Sequence, residues 1–258
     1  MAPRKQALLG HSGFVGSNLA RDTDFDCLVN SRNLALVNGQ RFDRVVCAAL
    51  PAAKWIANAN PEADRANMLG LMAGIDRLET DLFVLISTVD VYPVPRNVDE
   101  SVSPALADIA QAYGRHRLEF EEFIRKRFRC SIIVRLPALF GPGLKKNAIF
   151  DLMHDNQLEL INPRSAFQWY PVRRLSGDLD MIEKAGLSLV NIATEPLAML
   201  DIQQRFFPGK VIGNGTGNAA SYDFRTLHAA RWGRTDGYCL GRDEVIEEIG
   251  GFVAGAGA

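Results

Sequence analysis

Apolar residues along the chain fall into short unbroken runs, separated by longer stretches in which they recur every three or four positions. The runs QALLG, CLVN, RVVCAA, LFVLIST and SIIVRLPALFG read as buried strands. Amphipathic helices are predicted from about Gly13, over about 61–80 and over about 108–128. A further strand and helix are predicted at SLVNIA and PLAMLDIQQRF. Continuous apolar strands alternating with helices indicate an α/β fold, a doubly wound parallel sheet covered on both faces. The stretches 141–178 and 208–258 are less periodic and richer in Gly, Pro, Arg and aromatic residues. The expected division is a sheet core at 1–140 plus 187–207, with a smaller ligand-covering region at 141–186 plus 208–258. In such folds ligands bind beyond the carboxyl ends of the strands.

Composition narrows the partners. The 258 residues are 47% hydrophobic and 23% charged, with a formal net charge of -1. That balance favours neither nucleic acid nor an anionic membrane surface. Charge interrupts every apolar run too soon for a membrane span. Cys27, Cys47, Cys130 and Cys239 are scattered without a C-x-x-C pair, so free thiols and a reducing, cytoplasmic location are expected. His11, His116, His154 and His228 show no ligand spacing, and no metal is expected. His116 is placed on a solvated helix face.

LLGHSGFVGSNLA sets Gly10, Gly13 and Gly16 directly after the first strand and at the opening of a helix. Glycine permits the tight turn and close approach of backbone to a pyrophosphate, while the helix start supplies unpaired N–H groups. The spacing G-x-x-G-x-x-G in this context points to a dinucleotide, with Ser12, Phe14 and Val15 sharing the turn. At the end of the second strand the usual acid for an adenosine ribose is missing. Asn30, Ser31 and Arg32 stand there instead, and an arginine with a neighbouring hydroxyl suits a 2′-phosphate. The expected cofactor is NAD(P), with NADP favoured over NAD.

LFVLISTVDVYP ends abruptly in Ser87 and Thr88, hydroxyls at the carboxyl end of a strand. Farther on, AYGRHRLEFE places Tyr113 and Arg117 one helical turn apart on one face. Such a pair is either an ordinary surface neighbourhood or an acid–base tyrosine with a cation beside it.

The motifs GHSGFVG, VVCAA, ANMLG, LISTVDVY, VDES, YGRHRLEFE and VRLPALFGPG, in that order, resemble the extended short-chain dehydrogenases/reductases. The likeness is to the NAD(P)-dependent epimerase/dehydratase family, which works mostly on nucleotide sugars, and it covers about the first 145 residues. GHSGFVGSNLA…NSRNLAL further resembles the reductases that make GDP-fucose from a 4-keto-6-deoxy sugar. The resemblance implies a Rossmann fold in which VVCAA ends the fourth strand. It makes Thr88 the hydroxyl that steadies the substrate oxygen and Tyr113 the acid–base group. Ala48, Ala49 and Leu50 would lie along the cofactor and Asn67 would support the active-site backbone. Leu136, Pro137 and Leu139 would pass near the nicotinamide, with Ser87 also on the cofactor side.

The departure is Arg117, where the family carries lysine. A free phenol ionises near pH 10 and needs a nearby positive charge to act at neutral pH. Arginine keeps the charge, but its larger planar fork cannot relay a proton. Two outcomes therefore stay open. One is an oxidoreductase or epimerase acting on a sugar-like carbonyl or hydroxyl by hydride transfer. The other is a weak or inactive NAD(P)-binding sensor or interaction protein.

On the substrate side the candidates are Asn147 beside Lys145 and Lys146, Gln168 and Tyr170, Arg173, and Arg231 chosen from Arg225, Arg231 and Arg234. Aromatic faces beside guanidinium groups suit a nucleotide base and its phosphates, or else a core cluster ahead of a helix start. The C-terminal half is short for the family, so a trimmed nucleotide-sugar lobe is expected. The partners expected are a small-molecule substrate and a second copy of the chain in a homodimer.

Overall fold

Strands that are buried on both faces must stack in the middle of a sheet, and the chain does this with its most apolar segments. A computed structural model describes residues 4–256. In chain order the elements begin β1 (Gln6–Leu9), α1 (Phe14–Asp22), β2 (Cys27–Val29) and β3 (Arg41–Cys47). They continue through α2 (Lys54–Ala59), α3 (Pro61–Ile75), β4 (Glu79–Thr88), α4 (Ala112–Arg127), β5 (Ser131–Leu136) and β6 (Ala138–Phe140). Next come α5 (Ala148–His154), β7 (Ala166–Phe167), β8 (Trp169–Pro171), α6 (Leu175–Lys184) and β9 (Leu189–Asn191). The last are β10 (Leu197–Ala198), α7 (Met199–Phe206) and α8 (Arg242–Ala256).

Six strands form the central parallel sheet in the order β2-β1-β3-β4-β5-β9. After β1 the chain steps outward to β2 and then returns to the other side of β1 as β3. The order therefore reverses between β1 and β3, the switch point at which doubly wound sheets open a crevice. β1 pairs in parallel with both neighbours, Leu9 facing Val29 on one side and Cys47 on the other. The crossover from β2 to β3 is only a 3₁₀ turn at Leu34–Val37. It leaves no room for another strand, so VVCAA ends the third strand and not the fourth. Leu34 fills the space that a side chain at Gly74 would need, where a Cβ would lie 2.3 Å from its Cδ2.

Two compact units partition the chain. The first comprises the residues up to Val94, Val102–Arg135 and Leu175–Val190. Its core sits between the sheet and the helices α3 and α4, where Met68, Leu71 and Ile75 meet Phe83, Phe120 and Ile124. Each such side chain contributes about 1.5–3 kcal/mol by leaving water. Phe83 and Phe128 stack at 4.3 Å. The second unit takes Pro95–Ser101, Leu136–Arg174 and the chain from Asn191 onward. In it β6 pairs in parallel with β8, and β7 pairs antiparallel with β10.

These boundaries differ from those expected from the sequence. Helix α6 belongs with the sheet, because Leu175, Leu179 and Ile182 are buried and Ser176 Oγ lies 2.7 Å from Thr23 Oγ1 at the end of α1. Helix α7 falls in the second unit, where its own Asp201 accepts from Arg242 of α8 at 2.7 Å. The helix predicted over about 108–128 starts only at Ala112, after a 3₁₀ turn at Leu106–Asp108 and extended residues at Ile109 and Gln111. All four cysteines are free thiols. Among the described residues no helix is long and apolar enough to cross a membrane, and no cluster of three metal-binding side chains occurs.

Candidate functional site

The glycine turn lies at the switch point. Gly10 has φ +89°, and a Cβ there would lie 2.4 Å from the Ala48 carbonyl oxygen. A Cβ at Gly16 would lie 2.1 Å from the Gly10 carbonyl oxygen. Both glycines are therefore demanded by the turn's own packing. Gly13 is different. Its backbone, at φ -80° and ψ 170°, is open to any residue, and its nearest contact would be an ordinary 3.4 Å. The space beside it is not needed by the protein. Gly13 also begins α1, which no side chain caps, so the first-turn amides of Phe14, Val15 and Gly16 lack intrahelical acceptors. Ser12 and Gly13 are exposed. The donors and the open space fit a pyrophosphate.

At the end of β2, Asn30 shapes its own loop. Its amide N–H donates to Asn33 Oδ1 at 2.7 Å, its Oδ1 accepts from the Arg32 N–H at 2.9 Å, and its Nδ2 lies 3.2 Å from His11 Nε2. Ser31 and Arg32 are left exposed. Ala48, Ala49 and Leu50 follow β3 half-buried, the Ala48 N–H donating to the Leu9 carbonyl at 2.8 Å.

Thr88 and Tyr113 come together because α4 packs closely on the turn after β4. A Cβ at Gly114 would lie 2.0 Å from the Asp90 carbonyl oxygen, so only glycine beside Tyr113 allows this approach. The Thr88 hydroxyl accepts from the Asp90 N–H at 3.2 Å and lies near enough to the Tyr113 phenol to favour its ionised form. Lys54, at the start of α2, pairs with Asp90 at 2.8 Å. The Asn58 side chain accepts from the Tyr113 N–H at 2.9 Å and donates to Gln111 at 3.2 Å. It fixes the first turn of α4. Asn67, assigned that kind of support by the resemblance, is exposed on α3 instead.

Arg117 lies across the face of the phenol, its guanidinium carbon 4.2 Å from the ring centroid. One nitrogen donates to Asp64 and another to the Pro51 carbonyl. His116 is buried rather than solvated, with Nδ1 2.7 Å from the same Asp64 oxygen. Burial alone would raise the Asp64 carboxyl, but the hydrogen bonds from Arg117 and His116 hold it below the usual carboxylate range. The phenol shifts the other way. Burial pushes Tyr113 above its ordinary value and Asp90 adds to this, against the pull of Arg117, the Thr88 hydroxyl and Lys54. Arg117 does pull the phenol toward greater acidity, but desolvation outweighs it and the net direction is upward.

Beneath this layer lies a largely buried ionic network, which the half-exposed Arg125 joins from α4 by donating to Glu121 Oε2 at 3.2 Å. Glu121 Oε1 accepts from Ser87 at 2.6 Å and from Arg135 Nε at 3.0 Å, while Oε2 accepts from Arg135 at 2.7 Å. The remaining Arg135 nitrogen donates to the Tyr92 hydroxyl at 2.8 Å. Ser87 thereby anchors the end of β4, and its hydroxyl serves the framework rather than a ligand.

In the second unit several candidates are structural. Gln168 is buried and ties backbone together, donating to the Thr194 and Phe224 carbonyls at 2.6 and 2.9 Å and accepting from the Phe224 N–H at 2.9 Å. Tyr170 is wholly buried beside Trp169. The nucleotide-facing reading of these two gives way to a core role, since neither presents polar atoms to solvent. Asn147 caps α5, accepting from the Phe150 N–H at 3.0 Å, and donates to the Leu139 carbonyl at 2.8 Å. Arg173 forms a two-pronged pair with Glu248, both contacts at 2.7 Å. Arg225 pairs with Asp223 and Arg234 with Asp236 and Glu244. Arg231 is exposed and outside these pairs. Leu136 is buried, and Pro137 and Leu139 are half-buried.

Sequence reasoning missed Asp64, Asn58, Lys54, Asp90 and Glu121. A signal was present for two of them. Asp64 stands in register with Met68, Leu71 and Ile75 on the buried stripe of α3, and Glu121 shares the buried face of α4. An acid on an apolar stripe marks a buried pair.

No protein-family sequence profile matches the chain, and no curated protein matches it by sequence. Its fold, however, is shared with solved structures over nearly their whole length. A dTDP-4-dehydrorhamnose reductase from Bacillus anthracis, solved with NADP, superposes with a TM-score of 0.78 at 14% identity, covering 99% of each chain. A UDP-N-acetylglucosamine 4-epimerase from Methanobrevibacter ruminantium, solved with UDP-N-acetylmuramic acid, gives 0.74 at 13%, covering 98% of each. A UDP-glucuronic acid 4-epimerase from Bacillus cereus, solved with UDP-glucuronic acid and NAD, gives 0.71 at 15%, covering 98% of this chain and 99% of that one. The chain thus shares the fold of these reductases and epimerases, and the alignments run through the region expected to be trimmed.

Proposed function

We propose that the chain is an NAD(P)-dependent enzyme acting on a sugar-like, nucleotide-linked carbonyl or hydroxyl. The observation that carries this is the convergence of Thr88 and Tyr113 at the end of β4, where the glycine at position 114 lets α4 approach the turn after the strand. A phenol there can give a proton to a carbonyl oxygen or take one from a hydroxyl. In this reading the first-turn amides of α1 hold the pyrophosphate beside Gly13. Exposed Ser31 and Arg32 meet a 2′-phosphate, which favours NADP over NAD. When bound, the nicotinamide exchanges hydride with the substrate carbon. Thr88 holds the substrate oxygen, Tyr113 moves its proton, and the Arg117 guanidinium over the ring steadies the phenolate form. Company with sugar-nucleotide reductases and epimerases of the same fold supports this substrate class. A homodimer is part of the proposal.

A second reading, a cofactor-binding protein without turnover, is favoured by one observation. Arg117 is engaged by Asp64 and Pro51, and a guanidinium so held is poorly placed to serve the nicotinamide ribose as the family's lysine does. Turnover of a panel of 4-keto nucleotide sugars with NADPH separates the two. Tyr113→Phe is expected to abolish that turnover while leaving NADPH affinity unchanged. Full activity in the variant refutes the role assigned to the phenol, and tight NADPH binding without turnover of any panel member favours the second reading.

A further inference from the structure

The charges around Tyr113 form two opposed pairs. On one side Lys54 from α2 faces Asp90 from the turn after β4. On the other, Arg117 from α4 faces Asp64 from α3, with His116 as the third member. The first pair is partly exposed, so water weakens its field at the phenol. The second is buried, with Arg117 and Asp64 side chains each only 4% exposed, and its field is felt nearly undiminished. Arg117 has three methylenes of reach and several rotamers, yet its guanidinium carbon rests over one ring, 4.2 Å from the centroid. Two acceptors on different elements, the Asp64 carboxylate and the Pro51 carbonyl, define that position. Asp64 is itself held from a second direction by His116.

We propose that Asp64 is a positioning residue for Tyr113: anchored by His116, it fixes the Arg117 guanidinium against the ring face and offsets part of its charge there. The proposal rests on the reading of Tyr113 as the proton-transferring group. The consequence is a division of labour. Arginine at position 117 brings a permanent cation onto the phenol, and the carboxylate beneath it acts in the same sense as burial, offsetting part of that cation's pull on the resting phenol. A negative charge forming on the phenol during turnover still meets the nearer guanidinium first. Lysine could not do this with the same partners, because an ammonium lacks the planar fork that reaches Asp64 and Pro51 while stacking on the ring.

The test is a spectrophotometric titration of tyrosinate in the full chain without ligands, with Tyr113→Phe subtracted to isolate one phenol. Asp64→Asn keeps the shape and removes the carboxylate, and is expected to move the Tyr113 midpoint to lower pH by about one unit. Whether or not that variant is stable enough to titrate, Arg117→Gln is compared with the double variant Asp64→Asn/Arg117→Gln. These two differ only in the carboxylate and leave no lone buried cation, and the double variant must titrate lower. An unchanged midpoint between Arg117→Gln and the double variant, where no guanidinium is left to shift, overturns the proposal. Because the readout needs no substrate, a shifted midpoint with no turnover upholds Asp64 and removes the enzymatic reading, while turnover with an unmoved midpoint does the reverse.

Discussion

Three glycines share one turn, and the structure gives them different duties that alanine can expose. Gly16→Ala would place a methyl 2.1 Å from the Gly10 carbonyl oxygen, a backbone atom that cannot step aside. Overpacking of this kind costs about 1–3 kcal/mol or more, which for a chain this long lowers Tm by roughly 2–4 °C per kcal/mol. At Gly13 the methyl meets nothing closer than 3.4 Å, and φ -80° is comfortable for alanine. Restricting the unfolded chain there leaves stability level or raises it by about 0.4–1 kcal/mol. The methyl does, however, occupy the space in front of the first-turn amides of α1. Losing one charge-assisted hydrogen bond to a phosphate costs about 1.5–3 kcal/mol, or roughly 10- to 100-fold in affinity. The two variants should therefore separate cleanly: Gly16→Ala loses stability in thermal unfolding, while Gly13→Ala keeps it and loses NADPH affinity in calorimetric titration. Gly13→Ala binding NADPH like the parent refutes the cradle. Equal destabilisation by both refutes the packing argument.

Three further outcomes follow from the same geometry. Glu121→Ala leaves Arg135 buried without its carboxylate and is expected to cost about 3–5 kcal/mol in urea unfolding, whereas Glu121→Met with Arg135→Met should recover most of it; equal losses would deny the coupling. Asp64 has a folded-state pKa below its unfolded value of about 3.9, so its stabilising contribution is present above that pH and lost as pH falls through the folded value. Urea midpoints should accordingly fall less from neutral pH into that acid range in Asp64→Asn than in the parent, and parallel pH curves would contradict it. Arg32→Ala should cut NADPH affinity roughly 10-fold or more while sparing NADH; equal loss for both cofactors would place Arg32 away from a 2′-phosphate.

The sheet was legible because its strands are buried on both faces and so carry unbroken apolar runs, and the glycine turn because only its spacing satisfies the first strand, the turn and the helix at once. What the one-dimensional pattern hid has a common cause. Buried charge is written in single letters whose partners lie far away in sequence: Asp64 and Arg117 are 53 positions apart, and Ser87 and Glu121 are 34. Periodicity says that Arg117 and Tyr113 share a face, but not which face, and His116 was placed in solvent for lack of any sign that α3 brings an acid against it. Gln168 and Tyr170 misled in the opposite sense. Polar and aromatic letters in a loop-rich stretch suggest a ligand, yet short strands such as β7 and β8 offer few ladder bonds, and Gln168 replaces them by closing backbone groups of its neighbours. The same logic makes arginine at 117 less of an anomaly than it looked beside a family lysine. Taken alone it is a substitution that removes a proton relay. Taken with Asp64, Pro51 and the ring of Tyr113 it is one corner of a buried arrangement that a lysine would leave incomplete, and the residue to vary together with it is the acid on α3.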